Sequence, residues 1–373
     1  MSSRYANHHF APWEPTIRTL VTIVGARPQF IKAAVLSRLI RERYSGELSE
    51  FLVHTGQHYD DNMSDVFFRQ MRIPEPAVNL AVGSGSHGQQ TGAMLAAIEQ
   101  VLIKREPDRV LVYGDTNSTL AGALAAAKLG IPVAHVEAGL RSFQRAMPEE
   151  INRVVADRLS DLLFCPTITA VNNLAAEGIQ TGVHLVGDVM LDAFLYYRRL
   201  VEEDGMGNRL PRGIPEDFYL LTLHRAENTD DPARLKAIID ALNGLKGQFG
   251  VFSIHPRTRK MLSAQGLVLA PHIRAIEPVG YLEMLALESR CRFIVTDSGG
   301  MQKEAFFFAK PCITLRDRTE WIETVQSGWN TLTGADPEKI RHAFESVRLP
   351  TERPGFYGDG ETGSRILSIL LAG

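Results

Sequence analysis

The sequence predicts an α/β protein of two doubly wound domains facing one another across a cleft. Three observations lead there. The chain has 373 residues, too many for one ordinary core and the right length for two domains of about 100–200 residues each. Short apolar runs alternate with longer amphipathic stretches from end to end, the rhythm of βα units on a parallel sheet. That rhythm breaks once, at the polar segment EEDGMGNRLPRGIPED (202–217), and then restarts.

In the first half TLVTIVG (19–25) reads as a buried strand, and PQFIKAAVLSRLI carries a helical apolar stripe. EFLVHTG, RVLVYGD, PVAHVEAG and DLLFCP read as further strands. Between them lie the helices TGAMLAAIEQVLIK, LAGALAAAKLG (closed by Gly130), EEINRVVADRLS and AVNNLAAEG, and VHLVGDVMLDAF ends this half. Beyond the polar segment FYLLTLHR, VFSIHPR, RFIVTD and PCITLRD are strands, with LKAIIDALNGL, EMLALES and QKEAFFFAK as helices. The boundary is placed near Gly187. Residues 1–186 form an N-terminal domain, with 1–15 a frayed extension, and 187–355 form a C-terminal one.

Composition narrows the partners. With 45% hydrophobic and 22% charged residues the chain is neither disordered nor fibrous. A net charge of −3 gives no reason to expect nucleic acid or an anionic membrane. Cys165, Cys291 and Cys312 are scattered, which fits reduced thiols in the cytoplasm and not a disulfide framework or a zinc module. No apolar run is long enough to span a bilayer. The opening MSSRYANHHFAPWEP lacks the apolar core of a signal peptide, and His8 and His9 read as solvated.

Ligands of open parallel sheets bind outside the carboxyl ends of the strands. Those ends carry Arg27, Gln57, His58, Asp115 and Glu137 in the first half, and His224, His255, Asp297 and Ser298 in the second. Taken singly, each is as well read as a cap or loop residue; recurrence in both halves favours a site. DSGGMQKEA has the form of a phosphate turn: a strand ends, Gly299 and Gly300 free their amides, and a helix dipole begins. The competing reading is a tight βα turn. Glu304, about two helical turns in, reads either as a ribose contact or as a solvated glutamate. GARPQFIK adds the cations Arg27 and Lys32. No GxGxxG follows any strand, so no nicotinamide cofactor is expected. Asp115, Glu137 and Glu149 follow consecutive βα units and read as the acid/base set, one of them raised in pKa by mutual repulsion. Asp115 as a helix cap and Glu149 as a first-turn residue are the bland alternatives. His54 and His58 lack the helical context of a zinc pair, and no metal is expected.

GARPQFIK, HTGQHYD, YGDTNSTLAG, HVEAGLRS, MPEEINR, TLHRAEN, TDSGGMQKEA, KPCITLRDRTEW and YGDGETGSRI together resemble the non-hydrolysing UDP-N-acetylglucosamine 2-epimerases, in order and spacing, from about Thr19 onward. The resemblance implies a GT-B-like fold of two Rossmann-like domains with UDP in the cleft. It also implies that the C-terminal helix (356–373) joins the first domain. It implies catalytic roles for Asp115, Glu137, Glu149 and His224. Arg27, Lys32, Ser298, Gly299, Gly300 and Glu304 would bind the UDP-sugar, Gln57 and His58 would hold a second, activating UDP-sugar, and no cofactor is needed. A cytoplasmic homodimer is expected. Val279, Met284 and Trp321 depart from the usual pattern. They look like the branch acting on UDP-2,3-diacetamido-2,3-dideoxy-glucuronate in surface polysaccharide synthesis. Arg141, Arg225, Arg316 and Arg318 are the candidates to meet its C6 carboxylate. The rival readings are a hydrolysing 2-epimerase, a GT-B glycosyltransferase and a non-enzymatic UDP-sugar-binding regulator.

Overall fold

The computed structural model describes residues 18–57, 68, 71–203, 205 and 213–372. The N-terminal extension with His8 and His9, and the candidate His58, lie outside the described residues.

Two wholly parallel sheets form. The first holds β1 (Arg18–Val24), β2 (Leu48–His54), β3 (Val78–Asn79), β4 (Arg109–Tyr113), β5 (Val133–Val136), β6 (Leu162–Cys165) and β7 (Val183–Leu185), in the order β3-β2-β1-β4-β5-β6-β7. The second holds β8 (Tyr219–Thr222), β9 (Gly250–Ser253), β10 (Ile273–Ile276), β11 (Ile294–Thr296), β12 (Cys312–Thr314) and β13 (Asn330–Leu332), in the order β10-β9-β8-β11-β12-β13. The central strands are apolar along their length because helices cover both faces: every residue of β5, β8 and β9 is buried. The strand order of each sheet reverses once. The reversals fall between β1 and β4, where Ile23 faces Val112, and between β8 and β11, where Thr222 faces Thr296. Such switch points leave a crevice at the strand ends.

Buried polar side chains set the crevice walls. The Gln29 side-chain oxygen accepts from the amides of Gly25 and Ala26 at 2.8 and 3.1 Å, while its amide donates to the Tyr113 carbonyl at 2.7 Å. That residue therefore ties the turn after β1 to the end of β4.

Two chain crossings join the sheets and lie side by side. Gly187 has φ +95°, a conformation that favours glycine. An added Cβ there would lie 2.8 Å from Thr362 Oγ1 and 3.0 Å from the Tyr357 carbonyl. Next to it, the Asp188 amide donates to that carbonyl at 2.9 Å. The helix Val189–Glu203 then packs against the helices Arg27–Leu39, Tyr281–Arg290 and Thr362–Ala372. The last of these buries Ile366, Leu367 and Leu370 on the first sheet's side, worth about 5–9 kcal/mol as an upper figure. Arg18 donates to the Leu370 carbonyl at 3.0 Å. Among the described residues no helix is long and apolar enough to cross a membrane.

Candidate active site in the cleft between the two sheets

The first wall is built on the helix Pro148–Leu159. Pro148 opens it, and the two glutamates of its first turn face different ways. Glu150 is buried and accepts from the Ser142 amide and hydroxyl, the Phe143 amide and Arg153, all at 2.8–2.9 Å. It holds the loop after β5. Glu149 is about a third exposed and meets Arg225 of the second sheet's unit at 3.3 Å. Arg153 is buried and bound to Asp115, and lies 3.8 Å from Glu320 across the cleft. Asn152 donates to the Asp115 carbonyl at 2.9 Å. Arg153 and Asn152 were not anticipated from sequence; the signal available was the i,i+3 spacing of Glu150 and Arg153.

Glu137 sits at the end of β5 with φ +69°, a left-handed backbone that a non-glycine residue rarely adopts. Its carboxylate is buried between Lys32 and Lys303, the latter at 2.9 Å, and Lys303 also binds Asp188 at 2.6 Å. Burial alone would raise the carboxyl, but Lys303 and Lys32 hold it at about 2. The expected rise from repulsion among carboxylates does not occur at Glu137, because two ammonium groups are paired with it.

The second wall centres on Asp297, fully buried after β11. It accepts from the amides of His224 (3.1 Å) and Arg225 (2.9 Å) and from Asn228 (3.2 Å), so it shapes the turn after β8 and does not face ligand. His224 is kept below the ordinary imidazole range by desolvation, with Arg225 and His255 adding to the effect and Asp297 opposing it. Ser298 caps the helix Gly299–Phe307, its hydroxyl accepting from the Met301 amide. An added Cβ at Gly300 would meet only Ser298 Oγ, at 3.8 Å, and one at Gly299 only Trp321 Nε1, at 3.4 Å. Among the described residues little crowds the two glycines on that side, and the amides of a helix's first turn have no partner within the helix, which is what an anion site uses. Glu304 is buried, not solvated, and raised by burial; Lys303 and Arg27 are among the charges that oppose the rise.

Other expectations fare differently. Arg141 is buried and bound to Glu177 (2.6 Å) and Asp157 (2.7 Å), so it cannot meet a sugar carboxylate. Asp157 also binds His135, and this cluster carries the β5 loop. Arg316 is likewise held by Glu320 at 3.1 Å. Arg225 stands in the cleft and Arg318 is exposed. The side-chain oxygen of Gln57 accepts from the Ser118 amide and hydroxyl at 3.0 and 2.7 Å. Among the described residues no group of three His, Cys, Asp or Glu could hold a metal ion.

The family model described as UDP-N-acetylglucosamine 2-epimerase matches residues 41–371. The chain is 51% identical over 359 residues to the UDP-2,3-diacetamido-2,3-dideoxy-D-glucuronate 2-epimerase of Pseudomonas aeruginosa, covering 94% of this chain and 99% of that one. It is 47% identical to the UDP-N-acetylglucosamine 2-epimerase of Methanocaldococcus jannaschii, over 95% of this chain and 99% of the other. A crystal structure of a Methanocaldococcus jannaschii UDP-GlcNAc 2-epimerase in complex with UDP-GlcNAc and UDP superposes with a TM-score of 0.86 at 45% identity, covering 96% and 99% of the two chains.

Proposed function

Because the chain belongs to the UDP-N-acetylglucosamine 2-epimerase family, we propose that it inverts C2 of a UDP-linked 2-acetamido sugar without hydrolysing it, and that its own substrate is a 2,3-diacetamido uronic UDP-sugar. The C2 proton of such a sugar is not adjacent to a carbonyl, so it cannot be removed directly. Breaking the C1–O bond first, with UDP leaving, builds positive charge at C1 and makes the C2 proton removable. The product is a glycal; adding UDP back with protonation from the other face inverts C2.

The observation that carries this reading is the meeting of two walls. Asp115, Glu137 and Glu149 come from one sheet's unit, and His224 and the 298–300 turn from the other. The cross-cleft pairs Glu149–Arg225 and Glu137–Lys303 bring them together. In this reading the amides of Gly299 and Gly300, with Ser298 and Arg27, receive the departing diphosphate, and Glu304 meets the ribose. Asp115 and Glu149, open to the cleft, carry protons. Glu137 is too weak a base for that work near neutral pH, and serves as a fixed charge holding Lys32. His224, neutral at working pH, can accept a proton. Gln57 with His58 remains the proposed second UDP-sugar site.

Support for the uronic substrate comes from the name of the Pseudomonas aeruginosa relative, from Val279, Met284 and Trp321, and from Arg225, a part-exposed cleft cation whose partner Glu149 is also part-exposed, as a group to meet a C6 carboxylate. Incubation with substrate in deuterated water tests the reaction: deuterium at C2 with UDP retained is expected, and free sugar or absence of label contradicts it. A higher kcat/KM for UDP-GlcNAc than for the uronic sugar would falsify the preference. We further propose a homodimer working in the cytoplasm, consistent with three buried free cysteines; light scattering and cell fractionation test these.

A further inference from the structure

Lys303 is the third residue beyond the Gly299–Gly300 pair, on the helix whose N-terminus opens onto the cleft. It is 1% exposed, and its ammonium binds two carboxylates: Glu137 of the first sheet's unit at 2.9 Å and Asp188, beside the chain crossing, at 2.6 Å. The ammonium also lies 4.1 Å from the centre of the Trp321 ring. Glu137 passes the contact on to Lys32 on the helix Arg27–Leu39. Two lysines and two carboxylates, buried together, add little net stability compared with apolar groups of the same volume, so stability alone does not account for them.

We propose that Lys303 is a positioning residue of the epimerisation: from the helix that receives the diphosphate it crosses the cleft, orients Glu137 and through it Lys32, and so sets the reacting wall in register with the bound nucleotide. The inference rests on the reading of Glu137 as part of the reacting wall. A four-residue helical segment is rigid, so backbone geometry sets the distance from the phosphate turn to the Lys303 Cα, and Glu137, Asp188 and the Trp321 ring hold the ammonium beyond it. A diphosphate seated on Ser298–Gly300 and the carboxylate of Glu137 are then referenced to the same short helix. Asp188, beside the chain crossing, fixes the ammonium from the other side. Among the described residues, the charged or titratable groups that act on this cluster include Lys32, Lys303 and Asp188, with Glu304 near Lys303 and Tyr357 near Asp188.

Kinetics of Lys303→Met, Lys303→Gln and Lys303→Arg, with Glu137→Gln as control, test this. The neutral variants should lose about 10-fold or more in kcat, while UDP affinity stays within about threefold of wild type. With one cation gone, burial pushes Glu137 upward, since a close opposite charge is worth about 1–3 pK units. The acid limb of kcat that Glu137 causes should therefore move upward by about 1–3 pH units relative to the wild type, read in profiles taken from about pH 7 down to about pH 3. Lys303→Arg should restore both kcat and the wild-type profile. A neutral variant that folds and shows the wild-type pH profile overturns the proposal. So does failure of both neutral variants to fold while Lys303→Arg behaves as wild type, since that outcome marks a structural role. Wild-type turnover in Glu137→Gln would instead remove the reading of Glu137 itself, whatever Lys303 does.

Discussion

Glu149 and Glu150 are neighbours in sequence with opposite fates. One side chain is about a third exposed in the cleft, and the other is buried among four donors. Replacing Glu149 by Gln, or Asp115 by Asn, should lower turnover by roughly 10²-fold or more, the usual worth of a general acid or base. UDP should still bind by calorimetry, because the 298–300 turn is untouched. Near-wild-type turnover in both variants would mark these carboxylates as helix-end residues only. Sequence alone places both glutamates in the first turn of one helix. What separates them is the roughly 100° between successive side chains and the loop at 142–143 folding back onto Glu150, a tertiary fact. The same holds for Arg141, whose motif looks like ligand-binding sequence but whose partners Asp157 and Glu177 arrive from two other elements.

At the scale of elements, two helices of the second unit press carboxyl groups together. Glu288, on Tyr281–Arg290, is fully buried and faces Glu304 on Gly299–Phe307, carboxyl against carboxyl. Burial and the neighbouring carboxylate push Glu288 well above its ordinary value. A raised folded-state pKa stabilises the protein below the unfolded value, and the benefit is lost as pH rises towards the folded one. Glu288→Gln should therefore raise the thermal midpoint near pH 8, with the gain shrinking towards about pH 4. A gain equal at both ends would contradict the assignment. Gly187→Ala should act the other way. It puts a methyl against Thr362 and the Tyr357 carbonyl in a left-handed backbone, and should cost about 1–3 kcal/mol in urea unfolding; an unchanged midpoint would mean the crossing can shift. Elements with strong apolar runs were legible in the sequence. The two-residue β3 and the edge strands β10 and β13 were not, because edge strands carry neither a long apolar run nor a clean alternation.

Across the whole molecule the walls touch through charges: Glu149–Arg225, Arg153–Glu320 and Glu137–Lys303. The first pair is about a third exposed, and such pairs add only about 0–1 kcal/mol. At this outer pair the walls are weakly held, so bound UDP-sugar is expected to draw them closer, and small-angle scattering should show a smaller radius of gyration with saturating UDP-sugar. An unchanged radius would contradict this. The two-sheet architecture was legible because the βα rhythm restarts after residue 217. The pairing of the walls was not, since it depends on the twist of two sheets about paired crossings.

Those paired crossings also set an order of events during synthesis. The helix Thr362–Ala372, which covers the helix Arg27–Leu39, is translated about 175 residues after β7. At about 5–20 residues per second that is roughly 9–35 s. Through that interval the nascent first sheet leaves the ribosome with an apolar groove uncovered, while the second sheet forms beside it. A ribosome that stalls or frameshifts beyond residue 357 would release a chain with both sheets made and that groove still open, a natural target for chaperones and proteases.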